Sequence, residues 1–594
     1  MSKSRKLAAV AVGAFLSVAV AACGGSAGTK PAGGNSAAPG GVEAAGYNKI
    51  LDSVVNPSDK KGGTLNLWAS QDADFWDPAR GYYAFFWNMS RYFTRNLVTY
   101  DTKPGPDGLK LVPDAAAELP EISEDKLTYT FKLRDGLTFE DGTPVTSKDF
   151  KYGIERVFAQ DVLPGGPVYL KDQLDQGQNY PGPYKDKDKD KLGLKSVETP
   201  DDKTIIFKLK KPFADFMYLL AMPGATPVPQ AKDTGAKYTL RPFSSGPYKF
   251  ESYEPGKKLV LVRNDQWKQE SDPIRKALPD KVELNITTNA DDLDARLLAG
   301  TADLDVGQSG VQQAARAKIL QDPKLKGNAD LPTTGFLRYV AIAQKVPPFD
   351  NIDCRKAVIY AADPTAMLNA RGGPYAGSIG GNMLPSTVLG SDESYDPYGR
   401  LQGKPQPDKA KEALKACGKP EGFETKIAVR NNRPAEVKAA EALQQSLAAV
   451  GIKATLDQYD GKLSSSVVGS PDNVHSKGYG LIVHAWGPDW PGGYGYLQPL
   501  VDGRVILPNG NNNYSEVNDP QINEAFDKGS AETDPVKAAE YYKQANQRVM
   551  DLALYVPYAL DKALNYRNPR LTNVYFASAW GMVDFQALGV SDGK

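Results

Sequence analysis

Leu127-Thr128-Tyr129-Thr130-Phe131-Lys132-Leu133-Arg134-Asp135-Gly136 is followed closely by Asp141-Gly142-Thr143-Pro144-Val145-Thr146. Leu127, Tyr129, Phe131 and Leu133 alternate with polar residues, the period-2 pattern of a strand with one buried face. Asp135-Gly136 suits the tight turn that ends it, because glycine reaches positive φ without steric cost. Asp141-Gly142 marks a second turn. Beyond it either Thr146 or Ser147 supplies a helix N-cap, and Asp149 complements the dipole of the first turn. Strand, turn and helix in quick succession predict an α/β chain.

The same grammar extends both ways. Upstream, Gly63–Trp68 alternates as a strand and precedes the aromatic stretch Tyr82-Tyr83-Ala84-Phe85-Phe86-Trp87. Downstream, Thr204–Leu209 reads as a strand, and Gly246–Phe250 pairs with Leu259–Val262 across Glu254-Pro255-Gly256-Lys257 as a hairpin. Val282–Ile286, a helix over Asp291–Leu298 stopped at Gly300, and Ala302–Val306 form a βαβ unit. From about residue 336 the pattern restarts with a strand, Phe336–Ala343, and helices over Arg355–Ala362 and Lys409–Ala416. A second βαβ unit follows: Lys426–Val429, Ala435–Val450 with Ala440, Leu443, Leu447 and Val450 on one stripe, and Ile452–Leu456. The strand Leu481–His484 runs into a Gly/Trp/Tyr-rich loop, and helices occupy 519–552. Single cores stop growing at roughly 250–300 residues, so 594 residues predict separate α/β lobes with a cleft between them. The alternating Lys/Asp run 185–191 predicts a solvated loop, since interleaved lysines cancel the field a calcium ion would need.

Lys+Arg and Asp+Glu both number 71, which excludes the charge bias of a nucleic-acid or polybasic lipid binder. Lys3, Arg5 and Lys6 precede an uncharged stretch, Leu7–Ala22, as in an export signal (1–22), and Val20-Ala21-Ala22-Cys23-Gly24 resembles the lipobox of bacterial lipoproteins. Cys23 would then become a lipidated N-terminus. Gly24–Gly46 is almost wholly Gly, Ala, Ser, Pro and Asn, and 23–60 is expected to be a flexible tether. Cys354 and Cys417 remain, either joined as a disulfide or buried separately as thiols.

Enzyme motifs are absent. His475 and His484 are the only histidines, no zinc spacing or Walker A sequence occurs, and Gly24-Gly25-Ser26-Ala27-Gly28 matches a nucleophile elbow only inside the tether. No catalytic residue, metal site or cofactor is expected.

Several segments, in order, resemble the family-5 extracellular solute-binding proteins of dipeptide, oligopeptide and nickel ABC importers. They are the 127–150 run, Ser245-Gly246-Pro247-Tyr248 with its hairpin, Arg355-Lys356-Ala357-Val358 with Asp363, and Asp408–Leu414. The resemblance implies a two-lobed periplasmic-binding-protein-like α/β fold. Lobe I would span 61–335 with an extra subdomain at about 100–200, lobe II 336–560, and 561–594 would return to lobe I; hinge crossings would fall near 335 and 560.

In the peptide-binding branches a Trp-x-x-Asp sequence follows the strand that Leu481–His484 resembles, and its Asp pairs with the ligand ammonium. Trp486-Gly487-Pro488-Asp489 matches it, which assigns Asp489 that role, the alternative being a turn or helix-cap residue. Some oligopeptide binders carry an Arg three residues before this Trp, where this chain has Val483. Dipeptide binders place an Arg after the strand matched by Lys426–Val429, so Arg430 or Arg433 is a candidate for a ligand carboxylate or a solvated loop charge. Among the aromatics, Trp486 and Trp490 are the expected cleft walls, the remainder being core.

The implied function is capture of peptides, chiefly oligopeptides, by a non-enzymatic, monomeric lipoprotein on the outer face of the cytoplasmic membrane. Delivery would be to ABC permease subunits served by cytoplasmic ATPase subunits. Alternatives are an oligosaccharide, nickel or metal-chelate binder on the same scaffold and, more remotely, a surface hydrolase.

Overall fold

A computed structural model describes residues 48–593; Cys23, the signal-like stretch and the tether as far as residue 47 lie outside the described residues. The expected tether ends earlier than residue 60. Ile50 is 2% exposed, Val55 bridges Val574, and the Ser58 N–H donates to Asn573 Oδ1 at 2.9 Å, so this stretch runs along the folded body.

The first sheet is built on β1 (Thr64–Ala69), whose residues alternate between half-buried and buried. An inserted four-stranded antiparallel sheet follows, made of β2 (Glu121–Ile122), β3 (Thr128–Lys132), β4 (Val197–Asp201) and β5 (Thr204–Lys208), in the order β2-β3-β5-β4. In β3, Tyr129 and Phe131 are the buried residues, as the alternation requires, and Phe131 meets Phe207 edge-on at 5.9 Å. Helices of this half include α1 (Ala84–Ser90), α2 (Ser147–Arg156) and α3 (Tyr169–Leu174). Thr146 rather than Ser147 starts α2, with Asp149 Oδ2 accepting from both the Thr146 N–H and its hydroxyl at 2.8 Å.

The chain then adds β6 (Tyr248–Glu254), β7 (Lys258–Arg263), β8 (Lys281–Ile286) and β9 (Leu304–Asp305) to the first sheet, in the order β9-β1-β8-β7-β6. The hairpin β6–β7 forms as expected. The first βαβ unit differs: β8 and β9 each pair in parallel with β1, which lies between them. These sequence neighbours are thus separated in the sheet by a strand from more than 200 residues upstream.

The second sheet contains β10 (Thr333–Ile342), β11 (Gly377–Ser378), β12 (Glu424–Arg430), β13 (Lys453–Tyr459), β14 (Leu481–Trp486) and β15 (Tyr555–Lys562), ordered β11-β15-β10-β14-β12-β13. β12 and β13 pair in parallel around α4 (Pro434–Ala448), the expected second βαβ unit. Helices α5 (Gly493–Val501), α6 (Pro520–Ala531) and α7 (Pro535–Asp551) pack on this side. Strand β15 was not anticipated: all but its last residue are buried, so it shows no alternation.

Separate apolar cores underlie the two sheets, one around Leu65, Leu67, Phe131 and Phe207, the other around Val340, Ile427, Leu443 and Val483. The chain passes from the first sheet to the second ahead of Thr333 and returns after Lys562, where Tyr566 pairs with Ala329. The Lys/Asp run is not uniformly solvated. Asp186 is 8% exposed and accepts from the Tyr180 hydroxyl at 2.7 Å and the Gly193 N–H at 2.8 Å, tying the loop down from within. Cys354 and Cys417 are bonded, with Cα atoms 5.4 Å apart. Among the described residues no helix is long and apolar enough to cross a membrane.

Candidate functional site

The loop after β14 reaches the first lobe. Its glycines are steric requirements: a Cβ on Gly487 would lie 2.7 Å from the Phe336 ring, and one on Gly495 would lie 2.4 Å from the Trp490 indole. This close packing, with the Asp489 N–H donating to the Gly495 carbonyl at 3.1 Å, turns the Asp489 side chain across the cleft.

There, Asp489 Oδ2 accepts hydrogen bonds from the Tyr82 hydroxyl at 2.7 Å and the Tyr169 hydroxyl at 2.5 Å, both from lobe I. No described Lys or Arg forms an ion pair with it. Burial pushes its carboxyl up from 3.8 to about 7, against the lowering effect of the two hydroxyls. Asp489 does not cap α5, whose N-cap is Gly492, so the turn or cap alternative fails for its side chain. The result is a carboxylate held by two neutral donors with room in its charge balance for one cation.

Other bonds bridge the lobes. Trp490 Nε1 donates to Asp215 Oδ2 at 2.8 Å, Arg433 Nη2 to Gln71 Oε1 at 3.1 Å, and the Ala214 N–H to the Ser530 carbonyl at 2.9 Å. The cleft is therefore closed, with Asp489 on its lobe II wall.

Of the expected aromatic walls, Trp486 stands beside Asp489 and meets Tyr82 edge-on at 6.0 Å; its Nε1 is buried and has no partner among the described residues. Trp490 is corrected. It is 1% exposed, packed on Tyr169 at 5.0 Å and stacked with Tyr494 at 6.1 Å, so it joins the lobes and offers no face to a ligand in this conformation. Tyr82, expected in the core, takes the wall position instead.

The two arginines part company. Arg430 grips Glu436, with Nε donating to Oε2 at 2.8 Å. Arg338 reaches the same carboxylate at 3.2 Å and Asp561 at 2.7 Å. Although burial opposes it, Arg430 and Arg338 hold the Glu436 carboxyl down at about 2. Arg430 is thereby committed within lobe II. Arg433, three residues on, projects to Gln71, and its charge is felt by Tyr83 and by Asp305 at the end of β9.

The histidines stand apart from this chemistry. His484 is 7% exposed, with Nδ1 2.9 Å from the Ala485 carbonyl, and burial together with Arg430 pushes it down to about 3, leaving the ring neutral. His475 pairs with Glu516 at 2.6 Å. Among the described residues no group of three or more His, Cys, Asp or Glu is arranged to hold a metal ion.

Tyr82, Tyr169, Asp215 and Gln71 escaped the sequence-based expectation as partners of the loop. Tyr82 and Tyr169 lie 407 and 320 residues from Asp489, and no local pattern links them.

Comparison with known proteins agrees with this architecture. Residues 110–507 match the model of the bacterial extracellular solute-binding proteins, family 5. Heme-binding protein A of Haemophilus influenzae is 30% identical over 517 residues, covering 81% of this chain and 85% of that protein. The probable D,D-dipeptide-binding periplasmic protein of Escherichia coli K12 is 26% identical, covering 79% and 83%. Among solved structures, the clavulanic acid biosynthesis oligopeptide binding protein 2 superposes with a TM-score of 0.86 at 44% identity, covering 92% of this chain and 99% of that one. A periplasmic binding protein of Helicobacter pylori in complex with a peptide shares the fold at a TM-score of 0.73 and 21% identity, covering 90% and 99%. With its two α/β lobes and closed interlobe cleft, the chain belongs to family 5 of the bacterial extracellular solute-binding proteins.

Proposed function

We propose that this protein captures peptides by their N-terminal ammonium in the interlobe cleft and delivers them to an ABC permease for import. The observation that carries this is the Asp489 carboxylate: it faces the cleft, receives two neutral hydroxyls and lacks a cationic partner. Closing an empty cleft on an ionised Asp489 is unfavourable, whereas a ligand ammonium supplies the missing charge and makes closure favourable. Arg433, free of the Glu436 cluster, is the better-placed of the two arginines to receive a ligand carboxylate, and Trp486 with Tyr82 would line the first side-chain position.

The relatives' names span heme, dipeptide, glutathione and oligopeptide, so similarity alone does not choose a ligand; the 44%-identical oligopeptide binding protein and Asp489 together favour an oligopeptide. An oligosaccharide would leave Asp489 without a counter-charge. Anchoring through a lipidated Cys23 on the outer face of the cytoplasmic membrane completes the proposal and rests on the lipobox-like Val20–Gly24 alone. Mass spectrometry of ligand released from freshly purified protein tests the substrate class. Peptides with free N-termini are expected, and recovery of oligosaccharide or metal chelate in their place would overturn it.

A further inference from the structure

Asp215 stands on the lobe I side of the seam, at the N-cap position of the short helix Phe216–Leu220. An Asp there ordinarily accepts from the first N–H groups of its own helix, yet this side chain makes no such bond. Its Oδ2 accepts instead from Trp490 Nε1 at 2.8 Å, and a Cβ on Gly492 would lie 3.2 Å from the same oxygen. Both residues belong to the lobe II loop that carries Asp489. Around this contact lie others that join the two lobes: the Ala214 N–H on the Ser530 carbonyl, Phe213 edge-on to Tyr494 at 5.1 Å, and Lys211 with Asp527 at 3.3 Å.

The groups that face Asp215 are neutral. From lobe I they are Tyr100 and Tyr218, and from lobe II Trp490, Tyr494 of α5 and Tyr542 of α7. Burial raises each of these tyrosine hydroxyls, so they keep their protons. No described Lys or Arg forms an ion pair with Asp215, and Lys211, four residues before it, is taken by Asp527. A carboxylate enclosed by aromatic rings with one neutral donor is costly to ionise. Burial accordingly pushes the Asp215 carboxyl up to about 6, against the lowering effect of the Trp490 hydrogen bond. Separating the lobes withdraws Trp490, Gly492, Tyr494 and Tyr542 together and returns the carboxylate to water.

We infer that Asp215 is a proton-operated latch between the lobes: ionised, it favours the open form, and protonated, it favours the closed one. The sign follows from linkage. The closed form holds the proton more tightly than the open form, where the carboxyl returns toward its ordinary 3.8, so closing takes up a proton and gains as the pH falls through about 6. Above that value the ionised carboxylate opposes closure, and the cleft stands ready to receive a ligand. Asp489 acts in the same sense until an ammonium reaches it, so the two carboxylates have to be separated by substitution. The latch rests on the closure of the two lobes and stands apart from the peptide assignment.

The test is small-angle X-ray scattering of the full chain, freed of ligand by dialysis from denaturant, between about pH 8 and about pH 5. Asp489→Asn is expected to contract as the pH falls, its closed-to-open ratio rising roughly tenfold by about pH 5, one unit below the Asp215 value. The double variant Asp489→Asn/Asp215→Asn should keep one radius of gyration across the range, and Asp215→Asn alone should be more compact than the wild type at about pH 8, since its amide accepts from Trp490 without a charge. Adding Trp490→Phe to Asp489→Asn removes the N–H that steadies the ionised form while keeping a ring in the seam, and should move the contraction to higher pH. A radius that ignores pH in Asp489→Asn overturns the inference, as does an equal contraction in the double variant or a contraction that Trp490→Phe leaves in place. No ligand enters these measurements, so their failure and that of the peptide assignment are read separately.

Discussion

Asp489→Asn removes one charge from the cleft while preserving the side chain's shape. Burial in the closed cleft raises the carboxyl from 3.8 to about 7, which puts roughly 4 kcal/mol on the ionised form at about 1.4 kcal/mol per tenfold change in proton affinity. Asp489 keeps some contact with solvent, so screening trims that figure. A ligand ammonium must recover most of it for the closed complex to form. Asparagine leaves the ammonium opposite a neutral amide, and a loss of about 2–4 kcal/mol in peptide binding follows, roughly 30- to 1,000-fold in Kd. The assay is calorimetric titration of wild type and variant with one peptide in free and N-acetylated forms. Acetylation should cost the wild type about what the substitution costs the free peptide, and should cost the variant little, because both changes remove the same charge pair. Equal binding of the free and acetylated peptides by the wild type would refute the reasoning, as would wild-type affinity in the variant.

Peptide affinity should also depend on pH. An ammonium needs the ionised carboxylate, and burial pushes the Asp489 carboxyl up to about 7, so affinity should fall as the pH drops through that value and fall again above about 8, where the free peptide's α-amino group loses its proton. Titrations near pH 6 in buffers of different ionisation enthalpy should register a proton released on binding, and Asp489→Asn should flatten the profile. Arg433→Ala should weaken peptides with a free C-terminus by roughly 10- to 150-fold and leave C-amidated ones unchanged, since a charge-assisted hydrogen bond is worth roughly 1.5–3 kcal/mol; equal effects on both forms would remove Arg433 from that role. Cys417→Ser opens a loop with a sequence separation of 63 and should lower stability by about 4 kcal/mol on the chain-entropy model, measured by urea denaturation. Cys23→Ser should move the protein from the membrane fraction to the medium, and retention in the membrane would refute lipid anchoring at that residue.

Much of the α/β architecture was legible locally because strands, turns and caps depend on residues a few positions apart. The alternation in β3, the capping of α2 by Thr146 and Asp149, and the β12-α4-β13 unit all emerged where patterning placed them. β15 escaped because a strand buried on both faces has no alternation, and the entry of β1 between β8 and β9 escaped because pairing partners come from distant parts of the chain. The site divides along the same line. Trp-x-x-Asp is a local spacing, so Asp489 and Trp486 could be singled out in advance, whereas the tyrosines that hold Asp489 arrive from 407 and 320 residues away. Aromatic density could not say that Trp490 would be sealed in the seam and Tyr82 left facing the cleft; that depends on which ring packs against the opposite lobe. Nor could it be read that Arg430 would be taken by Glu436 while Arg433 stayed available, because the competing charge, Arg338, comes from another strand. Residue type and spacing set what each element can offer chemically. Only tertiary packing, within lobe II for Arg430 and between the lobes for Asp489, decides which of those groups are already satisfied and which are left for a ligand.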